Sequence, residues 1–141
     1  MVSEVNAQPN FFITCRVYWE DADGGGVVYY ANYLKYLERC RTEWLRALGI
    51  DQWRLRTERT LQFAVVSVNI KYLRPARLDD ELCVSASLVR FMPASICFDQ
   101  GIRRGGEPLI DASIRVACLD AVTLKPRPIP ADLFKEWRHE Q

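Results

Sequence analysis

The longest helical pattern in the chain extends from residue 33 to residue 48. Its apolar members recur at spacings of four, three, four and four: Tyr33, Leu37, Cys40, Trp44 and Leu48. Residues at these spacings share one face of an α-helix. Charged residues supply most of the opposite face, and Gly49 suits the position just beyond a helix C-terminus. The pattern predicts one amphipathic helix that packs its apolar face on the rest of the fold.

Five other segments have the alternating or β-branched pattern of β-strands. They are residues 11–19, 61–73, 81–89, 95–103 and 108–119. In the longest of them, a strict period of two separates two sets of apolar residues. One face would carry Phe63 and Val65, and the other would carry Val66, Val68 and Ile70.

The order of these elements predicts the fold class. One strand precedes the long helix, four strands follow it, and a short amphipathic helix is predicted over residues 131–138. An α+β fold, with an antiparallel sheet and the helix across one face, buries both apolar surfaces. Pairing of an edge strand with a second copy would cover an open sheet edge. No linker or repeat divides the chain, so residues 1–141 are expected to form a single domain.

Composition narrows the class of protein and its compartment. The apolar fraction is 49% and the formal net charge is +1. These values favour a packed core and argue against a dedicated nucleic-acid binder, which needs a marked cationic excess. The longest uncharged stretches, about eleven residues, reach half the length of a membrane-spanning helix. Residues 1–12 lack the pattern of a signal peptide, so we expect a cytoplasmic protein without membrane insertion.

The scarcity of histidine limits the possible catalytic chemistry. His139, near the C-terminus, is the one histidine of the sequence. A Ser-His-Asp or Cys-His site would depend on this terminal side chain, and a His-rich zinc site is excluded. The five cysteines are scattered without a C-x-x-C pair, which favours buried thiols over metal ligands or disulfides. We therefore expect no metal and no redox cofactor, and any general base is expected to be a carboxylate.

The segment between the first strand and the long helix carries the candidate chemistry. Asp23 precedes three glycines, which permit positive φ and close approach of the backbone to a ligand. The first turn of a helix offers unpaired N–H groups that stabilise a developing oxyanion. A carboxylate beside such donors could attack a thioester carbonyl or activate a water molecule. Glu20 and Asp21, next to the glycine turn, could tune Asp23 by like-charge repulsion, but we expect them to be solvated loop acids.

Three other interpretations of this segment remain open from the residues alone. The D-x-D-G-G-G pattern can form a loop stabilised by Asx turns without any catalytic role. A calcium loop is a second alternative, although the further ligand positions of an EF-hand are missing. Asn32 could be the N-cap of the helix, which would spoil the proposed N–H donor.

Three stretches of the sequence carry a family resemblance. Residues 16–46 read R-V-Y-W-E-D-A-D-G-G-G-V-V-Y-Y-A-N-Y and onward, residues 72–80 read Y-L-R-P-A-R-L-D-D, and residues 124–130 read L-K-P-R-P-I-P. This pattern resembles the Tol-Pal-associated acyl-CoA thioesterases, in the 4-hydroxybenzoyl-CoA thioesterase branch of the hotdog fold. The resemblance implies a five-stranded curved antiparallel sheet wrapped around one long central helix, in a homodimer or homotetramer. It also implies hydrolysis of acyl-CoA, with coenzyme A as part of the substrate and acyl carrier protein as a possible alternative carrier.

The resemblance also assigns the catalytic groups. Asp23 falls at the position of the family's catalytic carboxylate, and the backbone N–H of Tyr30 falls at the donor to the thioester carbonyl. Tol-Pal-associated members usually have histidine directly after V-V-Y, where this chain has Tyr30. Tyrosine at this position keeps the backbone N–H donor, but it cannot take any role that the histidine side chain has in those relatives.

Substrate contacts are expected around these two groups. The residues concerned are Gly26, Val28, Tyr29, Asn32 and Tyr33. The resemblance further implies that Arg90 binds the CoA phosphates, with Arg74 and Arg77 as alternatives. The competing hypothesis is a non-catalytic module that binds acyl-CoA or a protein of a cell-envelope complex. A hotdog dehydratase is disfavoured, because such enzymes generally pair a histidine with an acid.

Overall fold

The structure, a computed structural model, describes residues 3–4 and 11–138. Its strands are β1 (Ser3–Glu4), β2 (Phe11–Arg16), β3 (Leu61–Tyr72), β4 (Glu81–Phe91), β5 (Ser95–Arg104) and β6 (Glu107–Asp120). Its α-helices are α1 (Tyr33–Ala47), α2 (Gln52–Arg59) and α3 (Lys135–Arg138). Two 3₁₀ turns, Trp19–Asp21 and Tyr30–Asn32, lie between β2 and α1.

All the strand pairs are antiparallel and form one sheet. Strands β1 and β2 both pair with β4, and the order continues through β5 and β6 to β3 at the far edge. Helix α1 packs on β2, β4 and β5. The predicted α+β fold, with five main strands and one long helix, is therefore confirmed, and β1 adds a two-residue strand to it.

Helix α1 supplies the centre of the core. Its buried residues follow the predicted apolar stripe: Tyr33, Tyr36, Leu37, Cys40, Arg41, Trp44 and Leu45. The helix stops where predicted, because Gly49 adopts a φ of +82° that residues with a Cβ rarely adopt. Trp44 connects this helix to other elements: its ring stacks on Phe134 at 5.8 Å between ring centroids and meets Phe98 edge-on at 5.2 Å.

In strand β3 the side chains do not lie on the faces that the sequence predicted. A β-bulge between Val65 and Ser67 inserts one residue, so Val65 pairs with Val116 and Val68 pairs with Ile114. Val116 and Ile114 both point into the core. The extra residue therefore brings Val65 and Val68 to the same face, and the strict alternation expected from the sequence was wrong here.

Three elements differ from the prediction by more than two residues. Strand β2 ends at Arg16 rather than residue 19, because a 3₁₀ turn begins at Trp19. The C-terminal helix is limited to α3, since Phe134 has a left-handed φ of +56° that interrupts a helix starting at residue 131. Helix α2 was not predicted, because Leu55 is its one buried residue and no apolar stripe marks it. Within the described residues, none of the helices has the length and apolar character needed to cross a membrane.

Candidate active site

The segment between β2 and α1 folds into a small hairpin with the glycines at its tip. The Asp23 N–H donates to the Val27 carbonyl at 2.8 Å, and Ala22 forms an antiparallel bridge with Val28. Gly26 has a φ of +80°, which the turn requires and which glycine adopts without steric strain. This pairing fixes the backbone around Asp23 before any ligand is present.

A second segment holds this hairpin from the side. The Val28 N–H donates to the Ala76 carbonyl at 2.9 Å, and the Leu78 N–H donates to the Gly26 carbonyl at 3.0 Å. The Ala76 N–H donates to the hydroxyl oxygen of Tyr33 at 2.9 Å. Residues 72–80 and residues 16–46, two of the stretches that carry the family resemblance, thus contact each other directly.

Asp23 combines an Asx turn with one unused oxygen. Its Oδ1 accepts the Gly25 N–H at 2.8 Å, as the loop interpretation of the sequence requires. Its side chain is exposed, and within the described residues its Oδ2 accepts no hydrogen bond. The turn orients the carboxylate and leaves one oxygen available for chemistry.

The start of the helical segment leaves a backbone donor without a partner. A 3₁₀ turn begins at Tyr30 and leads into α1 at Tyr33. In the part of the chain that the structure describes, the Tyr30 N–H has no acceptor. Asn32 stands at the N-cap position but makes no capping hydrogen bond, because its Nδ2 donates to the Asp21 carbonyl at 2.9 Å. Asn32 is thus the N-cap residue of α1, as that alternative predicted, but within the described residues the Tyr30 N–H keeps no acceptor, so the donor is not lost.

Tyrosine side chains surround this donor. The ring centroids of Tyr29 and Tyr30 lie 4.8 Å apart, and those of Tyr33 and Tyr72 lie 5.7 Å apart. The Tyr72 hydroxyl donates to the Tyr30 carbonyl at 3.1 Å. Tyr29 and Tyr30 are exposed, whereas Tyr33 and Val28 are buried. Burial also raises the pKa of Tyr33. Contact of the acyl group with these side chains stays a prediction.

The predicted substrate-binding residues do not all lie together in this chain. Gly26, Val28, Tyr29, Asn32 and Tyr33 lie in or beside the hairpin. Arg90 lies near the end of β4 opposite to Glu81, roughly 30 Å along the strand from the side that meets the hairpin. Arg77, one of the two alternatives, bridges to Val27 in the hairpin itself. A role of Arg90 in phosphate binding stays a prediction.

Asp21 is a structural residue of the site that the sequence did not reveal. It is 5% exposed, so the expectation of a solvated loop acid was wrong. Its Oδ2 accepts the Tyr18 N–H at 2.9 Å, and its carbonyl accepts the Tyr29 N–H at 3.1 Å. Among the described residues the buried hydroxyl of Tyr36 has no hydrogen-bond partner, and burial together with the nearby Asp21 raises the pKa of Tyr36. An acidic residue beside a glycine turn gives no sequence signal for this burial.

Metal binding finds no support in the described geometry. Within residues 3–4 and 11–138, no group of three or more His, Cys, Asp and Glu side chains is arranged to hold a metal ion. His139 lies outside the described residues.

Known proteins are similar to this chain in both sequence and fold. Residues 25–110 match the family model described as "Thioesterase superfamily". The acyl-CoA thioesterase YbgC of Haemophilus influenzae is 40% identical over 129 residues, which span 92% of this chain and 95% of that protein. The acyl-CoA thioester hydrolase YbgC of Escherichia coli is 39% identical, over 87% of this chain and 92% of its own length.

Solved structures give the same fold. A "Probable Thioesterase" from Bartonella henselae is 34% identical, with a TM-score of 0.82 over 86% of this chain and 99% of that one. A 1,4-dihydroxy-2-naphthoyl-CoA thioesterase from Synechocystis superposes with a TM-score of 0.80 at 22% identity, over 93% and 94% of the two chains. These likenesses confirm the hotdog arrangement of one long helix held by a curved antiparallel sheet.

Proposed function

This chain belongs to the thioesterase superfamily, and from that membership we propose that it hydrolyses acyl-CoA thioesters at the hairpin before α1. The reaction converts the thioester and water into a free acid and coenzyme A. Asp23 supplies the carboxylate, and the Tyr30 N–H supplies the hydrogen bond to the thioester oxygen. The free donor at Tyr30 carries this proposal, because it is the group that an oxyanion needs and that the fold leaves unpaired.

The proposed chemistry follows from these two groups. The Tyr30 N–H draws negative charge onto the carbonyl oxygen while the Asp23 carboxylate attacks the carbonyl carbon or removes a proton from an attacking water. The tetrahedral oxyanion then collapses and the carbon–sulfur bond breaks. In the general-base route the thiolate of coenzyme A takes up the proton that Asp23 removed from water; after direct attack, a water molecule hydrolyses the mixed anhydride on Asp23, which restores the carboxylate and supplies the thiolate's proton. A thioester suits a single carboxylate because its leaving group is good. No cofactor beyond the substrate's own coenzyme A is required.

The experiment is thiol release from a panel of acyl-CoA esters by the wild type, Asp23→Asn and Asp23→Ala. We expect kcat to fall by roughly 10²- to 10⁴-fold in both variants, as for loss of a positioned acid–base group. Equal rates in the three proteins would contradict the assignment. Saturable binding of an acyl-CoA with no turnover by the wild type would favour the non-catalytic module instead.

The exposed edge of the sheet supports assembly into a homodimer or homotetramer. Strand β3 lies at one edge of the sheet and carries exposed apolar side chains: Val65, Val66, Val68 and Tyr72. Long apolar edge strands pair readily with another chain. We therefore propose that two copies join along β3, with a further pairing of dimers left open.

Other parts of the proposal concern location and partners. The five cysteines are free thiols, which suits a reducing compartment such as the cytoplasm. Coenzyme A is the proposed carrier, and acyl carrier protein is an alternative. Association with the Tol-Pal complex and the aromatic acyl preference of the 4-hydroxybenzoyl-CoA branch stay predictions.

A further inference from the structure

A second candidate site, away from Asp23, is a mostly apolar cavity that contains one buried charge. A cavity of about 230 Å³ opens between α1 and the inner faces of β3, β5 and β6. Most of its wall is apolar, including Leu45, Phe63 and Phe98. Against that wall α1 places Arg41, a charged side chain that is 9% exposed.

Arg41 is held in place by a neutral partner. Its Nη1 donates to the Gln100 Oε1 at 2.9 Å. Gln100, 2% exposed, donates its Nε2 to the carbonyls of Leu37 at 3.0 Å and Ser85 at 3.3 Å. Both amide hydrogens of Gln100 are thereby engaged, so its oxygen must face Arg41. The guanidinium is fixed without being neutralised.

The rest of the guanidinium has no acceptor among the described residues. Arg41 forms one hydrogen bond and no ion pair, so most of its five N–H donors remain unused. Glu38, one turn earlier, lines the rim of the same cavity, is exposed and accepts the Thr42 hydroxyl at 2.8 Å; within the described residues it forms no ion pair with Arg41. Burial lowers the pKa of Arg41, and the Glu38 carboxylate opposes this effect only in part. A buried cation with unused donors is stabilised when an acceptor oxygen enters the cavity.

The stripe of α1 that carries Arg41 starts next to the proposed oxyanion donor. Leu34, Arg41 and Leu45 follow Tyr30 at helical spacings that keep them on one stripe of α1. Across from that stripe, the inward residues of β3 remain partly open, with Val65 46% and Val68 41% exposed. The rise from Tyr30 to Arg41 is about 16 Å along the helix axis. An extended acyl group attached at the Tyr30 end can follow this apolar surface to Arg41.

We propose that the cavity receives the distal end of the substrate's acyl group and that Arg41 binds an acceptor oxygen there. The favoured substrates are then acyl-CoA esters whose chain ends in a hydroxyl or a carboxylate. This inference rests on the proposed thioesterase function and adds the chemical class of the acyl group. A side chain from a second copy of the protein is the competing occupant of the cavity.

The test compares matched thioesters on the intact protein. The substrates are dodecanoyl-CoA, ω-hydroxydodecanoyl-CoA and the mono-CoA ester of dodecanedioic acid, with the octanoyl series as a shorter control. For each protein the readout is the ratio of kcat/KM between the oxygenated and the plain ester. We expect wild-type ratios of about ten- to hundredfold at the length that reaches Arg41, as for a hydrogen bond to a charged group. The hydroxyl and carboxylate esters separate a neutral ligand from an anionic one.

Three variants complete the design. Arg41→Gln removes the charge and is expected to bring the ratio close to one, and Arg41→Lys is expected to give an intermediate ratio. Arg46→Gln removes an exposed arginine of the same helix, which pairs with Glu43, and should keep the wild-type ratio. If Arg41→Gln fails to fold, the wild-type ratio and Arg41→Lys still decide.

The outcomes separate this inference from the proposed function. A wild-type ratio near one at every chain length, or an unchanged ratio in Arg41→Gln, would overturn the role of Arg41, and a second copy would then be the occupant. Asp23-dependent hydrolysis of the plain esters would still support the proposed function in that case. Failure to hydrolyse any of the esters would count against both.

Discussion

Asn32 donates its side-chain amide to the backbone carbonyl of Asp21 at 2.9 Å, across the base of the hairpin that carries Asp23. An asparagine at the start of a helix usually caps the free N–H groups of the first turn. Here the amide ties the two ends of the hairpin together instead, and no side chain takes the Tyr30 N–H. This hydrogen bond stabilises the loop, while the Tyr30 N–H, two residues before Asn32, stays without an acceptor among the described residues.

The Tyr30 donor can be removed without disturbing the backbone around it. Tyr29 has a φ of −60° and a ψ of 134°, which are the angles that a residue before proline adopts. Proline is tolerated at the first helical position because the N–H there is unused. Tyr30→Pro is therefore expected to fold and to lose roughly 10²- to 10³-fold in kcat, while Tyr30→Ala keeps the N–H and most of the activity. Steady-state kinetics of the two variants isolate the N–H, and equal rates would exclude it as the oxyanion donor.

Asp21 should matter for stability far more than its neighbour in sequence. Asp21→Ala removes a buried carboxylate that accepts the Tyr18 N–H and is expected to lower the free energy of unfolding by about 1–3 kcal/mol. Glu20→Ala changes an exposed acid and should stay within about 0.5 kcal/mol of the wild type. Urea unfolding followed by circular dichroism measures both. Similar losses in the two variants would show that Asp21 is not the support of the hairpin.

The proposed assembly along β3 predicts a specific loss of oligomer. Val66→Lys places a charge at the bulge of the exposed edge and is expected to shift the protein to monomers without unfolding it. Val122→Lys adds the same charge at an exposed position beyond β6 and should leave the assembly unchanged. Sedimentation equilibrium gives the masses. A wild type that sediments as a monomer would rule out the β3 dimer.

Acid stability should depend on Asp80, which lies in the turn that supports the hairpin. Burial alone would raise the pKa of Asp80, but hydrogen bonds from Arg104 at 2.6 Å and from the Arg77 N–H at 2.8 Å outweigh it and lower the pKa. A lowered pKa stabilises the folded state at neutral pH, and that contribution disappears as the pH falls through the folded-state pKa, below roughly 4.

The variant Asp80→Asn tests this linkage. It is expected to be less stable than the wild type at pH 7, by on the order of 1–3 kcal/mol. The difference between the two proteins should narrow as the pH is lowered below roughly 4, because the wild-type carboxylate is then protonated as well. Urea unfolding of both proteins across a pH series measures this difference in stability. A difference that stays constant down to low pH would mean that the charge of Asp80 is not the source of its contribution.

Local patterns in the sequence were sufficient for the elements that depend on neighbouring residues. The apolar stripe of α1 and its end before Gly49 follow from helical spacing and from one positive φ. The hairpin between β5 and β6 follows from Gly105 and Gly106 in the same way. Asp23 stood out as a candidate because a carboxylate, a glycine turn and a helix start are adjacent in the chain.

Tertiary structure decided the features that depend on distant partners. The bulge in β3 is visible only in its pairing with β6, which turns Val68 to the face of Val65. The burial of Asp21 and the engagement of Asn32 depend on how the hairpin closes on itself. Arg41 looks like an ordinary helix arginine in the sequence, and only the packing of β5 brings Gln100 to it. Periodicity records which face of an element is apolar, whereas hydrogen bonds between elements depend on the three-dimensional approach of residues far apart in the chain.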